Sequence, residues 1–180
     1  MRIRMKSAIL LILSAMAVVT LSSCSFLWPQ DQSSEKRSIS TKKEQKKIAT
    51  SILKAFDEQD NEALKDLFCE RSKALPDLDE QIQAAMDFYE GKMISCDDIT
   101  GTSEEQSWEL GVVTRVSTGG HIRYIETDTE KRYTIAFLNH LVNNKHPDKV
   151  GISKLTIMYG DIYDEDRSGE EVIVGEYWGR

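Results

Sequence analysis

From residue 41 onward, apolar positions first recur at helical spacing and then alternate. Ile48, Ile52, Leu53 and Phe56 form one stripe, the pattern of a helix with one buried face. Thr41-Lys42-Lys43-Glu44 fits a capping box, so this helix is expected to start near Thr41. Asp60 can cap a second short helix carrying Ala63, Leu64, Leu67 and Phe68. A third is expected after Pro76-Asp77. Its inward face would hold Leu78, Ile82, Ala85, Met86 and Tyr89, with Gly91 at its stop. Beyond Gly91 the period changes. Lys92 to Ile99 and Trp108 to Ser117 read as strands, and Ser117-Thr118-Gly119-Gly120 as a turn. His121 to Thr127 and Arg132 to Val142 flank Asp128-Thr129-Glu130-Lys131 as a hairpin. In its second arm Tyr133, Ile135, Phe137 and Leu141 share a face. Ile152 to Tyr159 and Val172 to Trp178 complete the strands.

Helices first and strands afterward imply an α+β domain, with the helices on one face of a curved antiparallel sheet. This order resembles the cone-shaped, cystatin-like fold shared by nuclear transport factor 2 and ketosteroid isomerase. That resemblance covers about Thr41 to Trp178 and implies a sheet wrapped around the helices, with a pocket at its open end.

The beginning of the chain follows another pattern. Arg2, Arg4 and Lys6 precede an apolar run from Ala8 to Leu21, which gives way to small residues. This is a secretory signal pattern. About 14 helical residues at ~1.5 Å each reach roughly 21 Å, short of the ~30 Å hydrocarbon core. Leu21-Ser22-Ser23-Cys24 resembles the bacterial lipobox, which implies cleavage between Ser23 and Cys24 and a diacylglycerol thioether on Cys24. Two acyl chains anchor stably where one is marginal. Residues 25 to 40, SFLWPQDQSSEKRSIS, are polar and aperiodic, the composition of a flexible tether. The expected organisation is signal peptide 1–23, lipidated tether 24–40 and domain 41–180.

Charge narrows the partners. Without residues 1–23, 20 basic and 30 acidic residues remain, a formal charge of −10. Nucleic-acid binding, which needs basic groups against phosphates, is disfavoured. Export permits a disulfide between Cys69 and Cys96; two buried thiols are the alternative. With no C-x-x-C pair, neither zinc nor thiol redox chemistry is indicated.

The segments DLFCERSK (66–73), DFYEGKMIS (87–95), YIETDTEKRYTI (124–135) and NNKHPDKVGI (143–152), with the lipobox, resemble a family of uncharacterised lipoproteins of Gram-positive bacteria. The resemblance implies fold and location but no chemistry.

Candidate chemistry is sparse. His121 and His140 are the imidazoles expected within the sheet, as pocket acid–base groups or as solvent-facing residues. His121 would share a face with Arg123, and His140 with Thr134, Ala136, Leu138 and Val142. His146, in a polar loop, is the least promising. Residues 161 to 171 partly mimic a calcium loop, but Gly175 stands where a bidentate Glu belongs. Neither metal nor cofactor is expected. Tyr124, Tyr133, Phe137, Tyr159, Tyr177 and Trp178 would fill the core or line a pocket. The expected protein is an anchored extracytoplasmic module that binds a small ligand, peptide or protein. The alternatives are an isomerase- or hydrolase-like enzyme using the cone, or a self-associating structural protein, as a homodimer.

Overall fold

The structure, a computed structural model, describes residues 32–97, 100–160 and 169–176. The chain divides into two compact units, residues 1–38 and 39–180. Among the described residues, four helices come first: α1 (Gln32–Glu58), α2 (Asn61–Asp66), α3 (Glu70–Lys73) and α4 (Leu78–Phe88). Six strands follow: β1 (Met93–Ser95), β2 (Thr100–Glu109), β3 (Val112–Thr127), β4 (Arg132–Asn143), β5 (Gly151–Tyr159) and β6 (Glu171–Gly175). A 3-10 turn at Pro147–Lys149 lies between β4 and β5.

The sheet is antiparallel and open, in the order β1-β3-β4-β5-β6, with β2 also paired to β3. The 16-residue β3 is long enough to take β2 along its first part and β1 at its end. The helices bury their stripes against one face of this sheet. Ala49, Ile52, Leu53 and Phe56 of α1, Leu64 of α2 and Ile82, Ala85 and Met86 of α4 join Ile122, Ile125, Tyr133, Ile135, Phe137, Leu155 and Ile157 in one core. Burying each such side chain contributes roughly 1.5–3 kcal/mol. Asp60 caps α2 by accepting from the Ala63 amide at 2.9 Å. Cys69, Ile152 and Leu67 exchange backbone hydrogen bonds that tie the start of α3 to β5.

Several expectations need correction. Helix α1 begins at Gln32, so Thr41 is no cap; it lies inside the helix and is 5% exposed. Trp108 to Ser117 is not one strand but a hairpin, turning at Leu110-Gly111 with φ of 49° and 77°. Ser117-Thr118-Gly119-Gly120 is no turn but the middle of β3. Gly120 is needed there because a Cβ would collide with the Phe137 ring across the ladder. Bulges also break the alternation. Arg123 and Tyr124 together oppose Thr134, so Ile122 and Ile125 are both buried in the core although three residues apart. Leu141 is a second extra residue, between His140 and Val142. The calcium-like segment at 161–168, Tyr177 and Trp178, Ser23 and Cys24 and the rest of residues 1–31 lie outside the described residues.

Candidate functional site

The β2–β3 ribbon and the β4–β5 connection enclose a cleft of ≈380 Å³ on the side of the sheet away from the helices. Strand β2 supplies Glu105, Ser107 and Glu109; β3 supplies Thr114 and Arg115; β4 supplies His140 and Asn143. Lys145, His146 and Lys149 close it from the connection. The bulge at Leu141 matters here. It restores His140 and Asn143, three residues apart, to the same side, with Asn143 opposite Arg115. The connection is held in place by Asn144, whose backbone N–H donates to Thr114 O at 2.9 Å and whose side chain donates to Val113 O at 3.2 Å. Asn143 Oδ1 accepts from the His146 amide at 3.0 Å.

The cleft mixes charges, with three cations against two carboxylates. Arg115 Nη2 donates to Glu105 Oε1 at 2.5 Å, and Lys145 donates to Glu109. Two nitrogens are left over. Arg115 Nε and His140 Nδ1 are both buried, and neither has a hydrogen-bond partner among the described residues. Arg115 Nε can only donate, and a buried donor left unpaired costs about 1–3 kcal/mol, so an oxygen acceptor that reached it would recover that cost. His140 titrates below its ordinary range. Burial is the main cause, the Arg115 and Lys149 charges add to it, and Glu105 opposes them. At neutral pH the imidazole is therefore neutral, with one nitrogen available as an acceptor or base.

The other imidazoles divide differently from expectation. His146, the least promising in the sequence, joins His140 in this cleft. His121 does not. It pairs with Ala136, whereas Ser117 pairs with His140. Four residues along the ladder separate the two sites by about 13 Å. His121 instead borders a shallower hollow of ≈210 Å³ with Ala136, Leu138, Lys154 and Thr156. Arg115, Glu105 and Lys149 gave no signal along the chain. Arg115 was legible only as a charge inside the apolar run Val112 to Val116.

On the helix side of the sheet, aromatic rings pack in series. Phe56–Tyr89, Tyr89–Tyr133 and Tyr133–Tyr159 each have centroids 5.1 Å apart. The hydroxyls are used in the fold. Tyr89 donates to Asp57 at 3.0 Å, and Tyr133 donates to Phe88 O at 3.1 Å while accepting from the Glu90 amide. Burial pushes both phenols well above their ordinary range, so they stay protonated. Tyr133 and Phe137 are core, and Tyr159 packs against it half-buried. Tyr124 instead lies under the guanidinium groups of Arg123 and Arg132. Cys69 is buried and Cys96 exposed, and neither is disulfide-bonded. Cys69 Sγ lies 3.2 Å from the Ser72 hydroxyl, which donates to Ser153 O. Among the described residues, no group of three or more His, Cys, Asp or Glu is placed to hold a metal ion. Nor is any described helix long and apolar enough to cross a membrane.

A protein family described as a domain of unknown function, DUF5104, matches residues 51–161. Every residue that lines the cleft falls within that span. No curated protein matches the chain.

Proposed function

Starting from a chain that belongs to the DUF5104 family, we propose a lipid-anchored binding module on the extracytoplasmic face of the cell membrane, which takes a small anion in the cleft at Arg115 and His140. One observation carries the binding reading: Arg115 Nε and His140 Nδ1 are buried without partners among the described residues, and both residues line one cleft. Arg115, Lys145 and Lys149 favour negative charge there. The Arg115 fork suits a carboxylate or a phosphate, whose oxygens accept paired N–H donors. Glu105 would exchange part of its hold on Arg115 with the incoming anion. The anchor rests on residues 1–24: three positive charges, a short apolar run and the lipobox ending at Cys24. The helices-first order and the single antiparallel sheet support the cone of nuclear transport factor 2, with its interior filled by the Phe56, Tyr89 and Tyr133 rings.

The test uses the full chain in detergent with inorganic phosphate and citrate as probes. Equilibrium dialysis should show saturable uptake of at least one probe and a loss of tenfold or more in Arg115→Gln. Equal uptake by both proteins would defeat the reading. The anchor is tested separately. Cys24→Ala should leave an uncleaved chain without acyl label, and normal processing of that variant would reject lipidation.

The enzyme alternative is favoured by the neutral His140 beside Arg115, an imidazole suited to act as a base on a bound anion. A turnover product that falls ~10²–10⁴-fold in His140→Asn, the usual scale for general acid–base catalysis, would replace binding with catalysis.

A further inference from the structure

The β2–β3 hairpin ends in apolar side chains that stay partly or wholly exposed. Trp108 is 45% exposed, Leu110 105% and Val112 60%. The turn itself is unusual for its composition. Both central residues have positive φ, 49° at Leu110 and 77° at Gly111, a geometry that favours Asn-Gly. Leu110 thus adopts a backbone conformation unfavourable for a branched side chain and is fully exposed among the described residues.

We propose that this tip seats in the interfacial layer of a lipid bilayer, with Trp108, Leu110 and Val112 among the headgroups and upper acyl chains. The inference rests on the anchored reading above, which already holds the domain beside a bilayer. Thr41 follows Cys24 by 17 residues, so even a fully extended connection reaches no farther than about 60 Å. Area argues against a protein partner. A stable interface buries ~800 Å² per side over ~20–30 residues, and three side chains on a protruding turn supply well under that. A bilayer asks for no shape complementarity. Tryptophan favours its interfacial zone, and cations suit the headgroup level. Behind the tip lie Lys149 and two cations already paired with carboxylates, Arg115 with Glu105 and Lys145 with Glu109. The −10 charge of the chain after Ser23 keeps the rest of the surface off anionic lipid, so contact is confined to the tip.

The sequence contains three tryptophans, Trp28, Trp108 and Trp178. Trp28→Phe with Trp178→Phe leaves Trp108 as the reporter. This full chain, acylated and reconstituted into phosphatidylcholine–phosphatidylglycerol vesicles, is read by quenching from brominated acyl chains and from aqueous iodide. The expected result is a blue-shifted Trp108 emission quenched several-fold more by bromolipid than by iodide. Leu110→Asp combined with Val112→Asp should reverse that ratio while circular dichroism stays unchanged. Emission quenched by iodide and untouched by bromolipid overturns the proposal. So does shielding from both quenchers that grows with protein-to-lipid ratio, which would mark a second copy as the occupant. A chain without acyl label would sink the anchored reading alone. The same chain is then added to preformed bromolipid vesicles, where quenching upholds the tip and its absence overturns it.

Discussion

Thr118 carries a hydroxyl that costs stability where it stands. It is 2% exposed, and its Oγ1 has no partner among the described residues. Thr118→Val removes the polar atom at nearly constant volume. The expected change is a stabilisation of up to ~2 kcal/mol, read as a higher urea midpoint with an unchanged slope. A loss of stability would show that the hydroxyl is satisfied in solution. Tyr133 is the opposite case. Its hydroxyl joins Phe88 O and the Glu90 amide at the end of α4, so Tyr133→Phe should cost ~1–3 kcal/mol. His140 links stability to pH. Its folded pKa lies below the ordinary value of 6.5, chiefly through burial, so the unfolded chain binds the proton first as pH falls. Stability from this group is complete above pH 6.5 and is lost as pH falls toward the folded pKa. His140→Asn should remove that part of the slope in thermal midpoints measured from pH 7.5 to 5. An unchanged slope would contradict the burial.

At the scale of elements, the helices were the legible part. The stripes through Ile52 and Phe56 and through Ile82 and Met86, and the cap at Asp60, sit where the periodicity puts them. The sheet was read less well, for local reasons. Leu110-Gly111 carries no polar turn signal, whereas Gly119-Gly120 carries a strong one and lies inside β3 because Phe137 needs the space. A strand of 16 residues with two bulges along its ladder defeats any period-2 rule. The same turn gives a test. Leu110→Asn supplies the residue the geometry favours, and relief of a left-handed L-residue is worth ~1 kcal/mol. The variant should melt higher than the parent; a lower midpoint would mean that Leu110 packs within the chain after all.

At the scale of the molecule, the core could be read from the sequence and the cleft could not. A helical stripe announces its own buried face. The cleft draws on β2, β3, β4 and the β4–β5 connection, so no single stretch holds its pattern. His140 was visible as a sheet histidine, but its pairing with Arg115, Lys149 and His146 depends on hairpin register and on the bulge at Leu141. The anion reading then has a direct thermodynamic consequence. A bound anion must favour the protonated imidazole, so it should raise the His140 pKa, and affinity should rise as pH falls through that value. The decisive measurement is the His140 imidazole resonance, followed by NMR from pH 8 to 4.5 in the full chain with and without inorganic phosphate or citrate. The expected result is a midpoint below 6.5 alone, moved upward by at least one of the two anions, and moved by neither in Arg115→Gln. A His140 titration indifferent to both anions would contradict an anion site in this cleft.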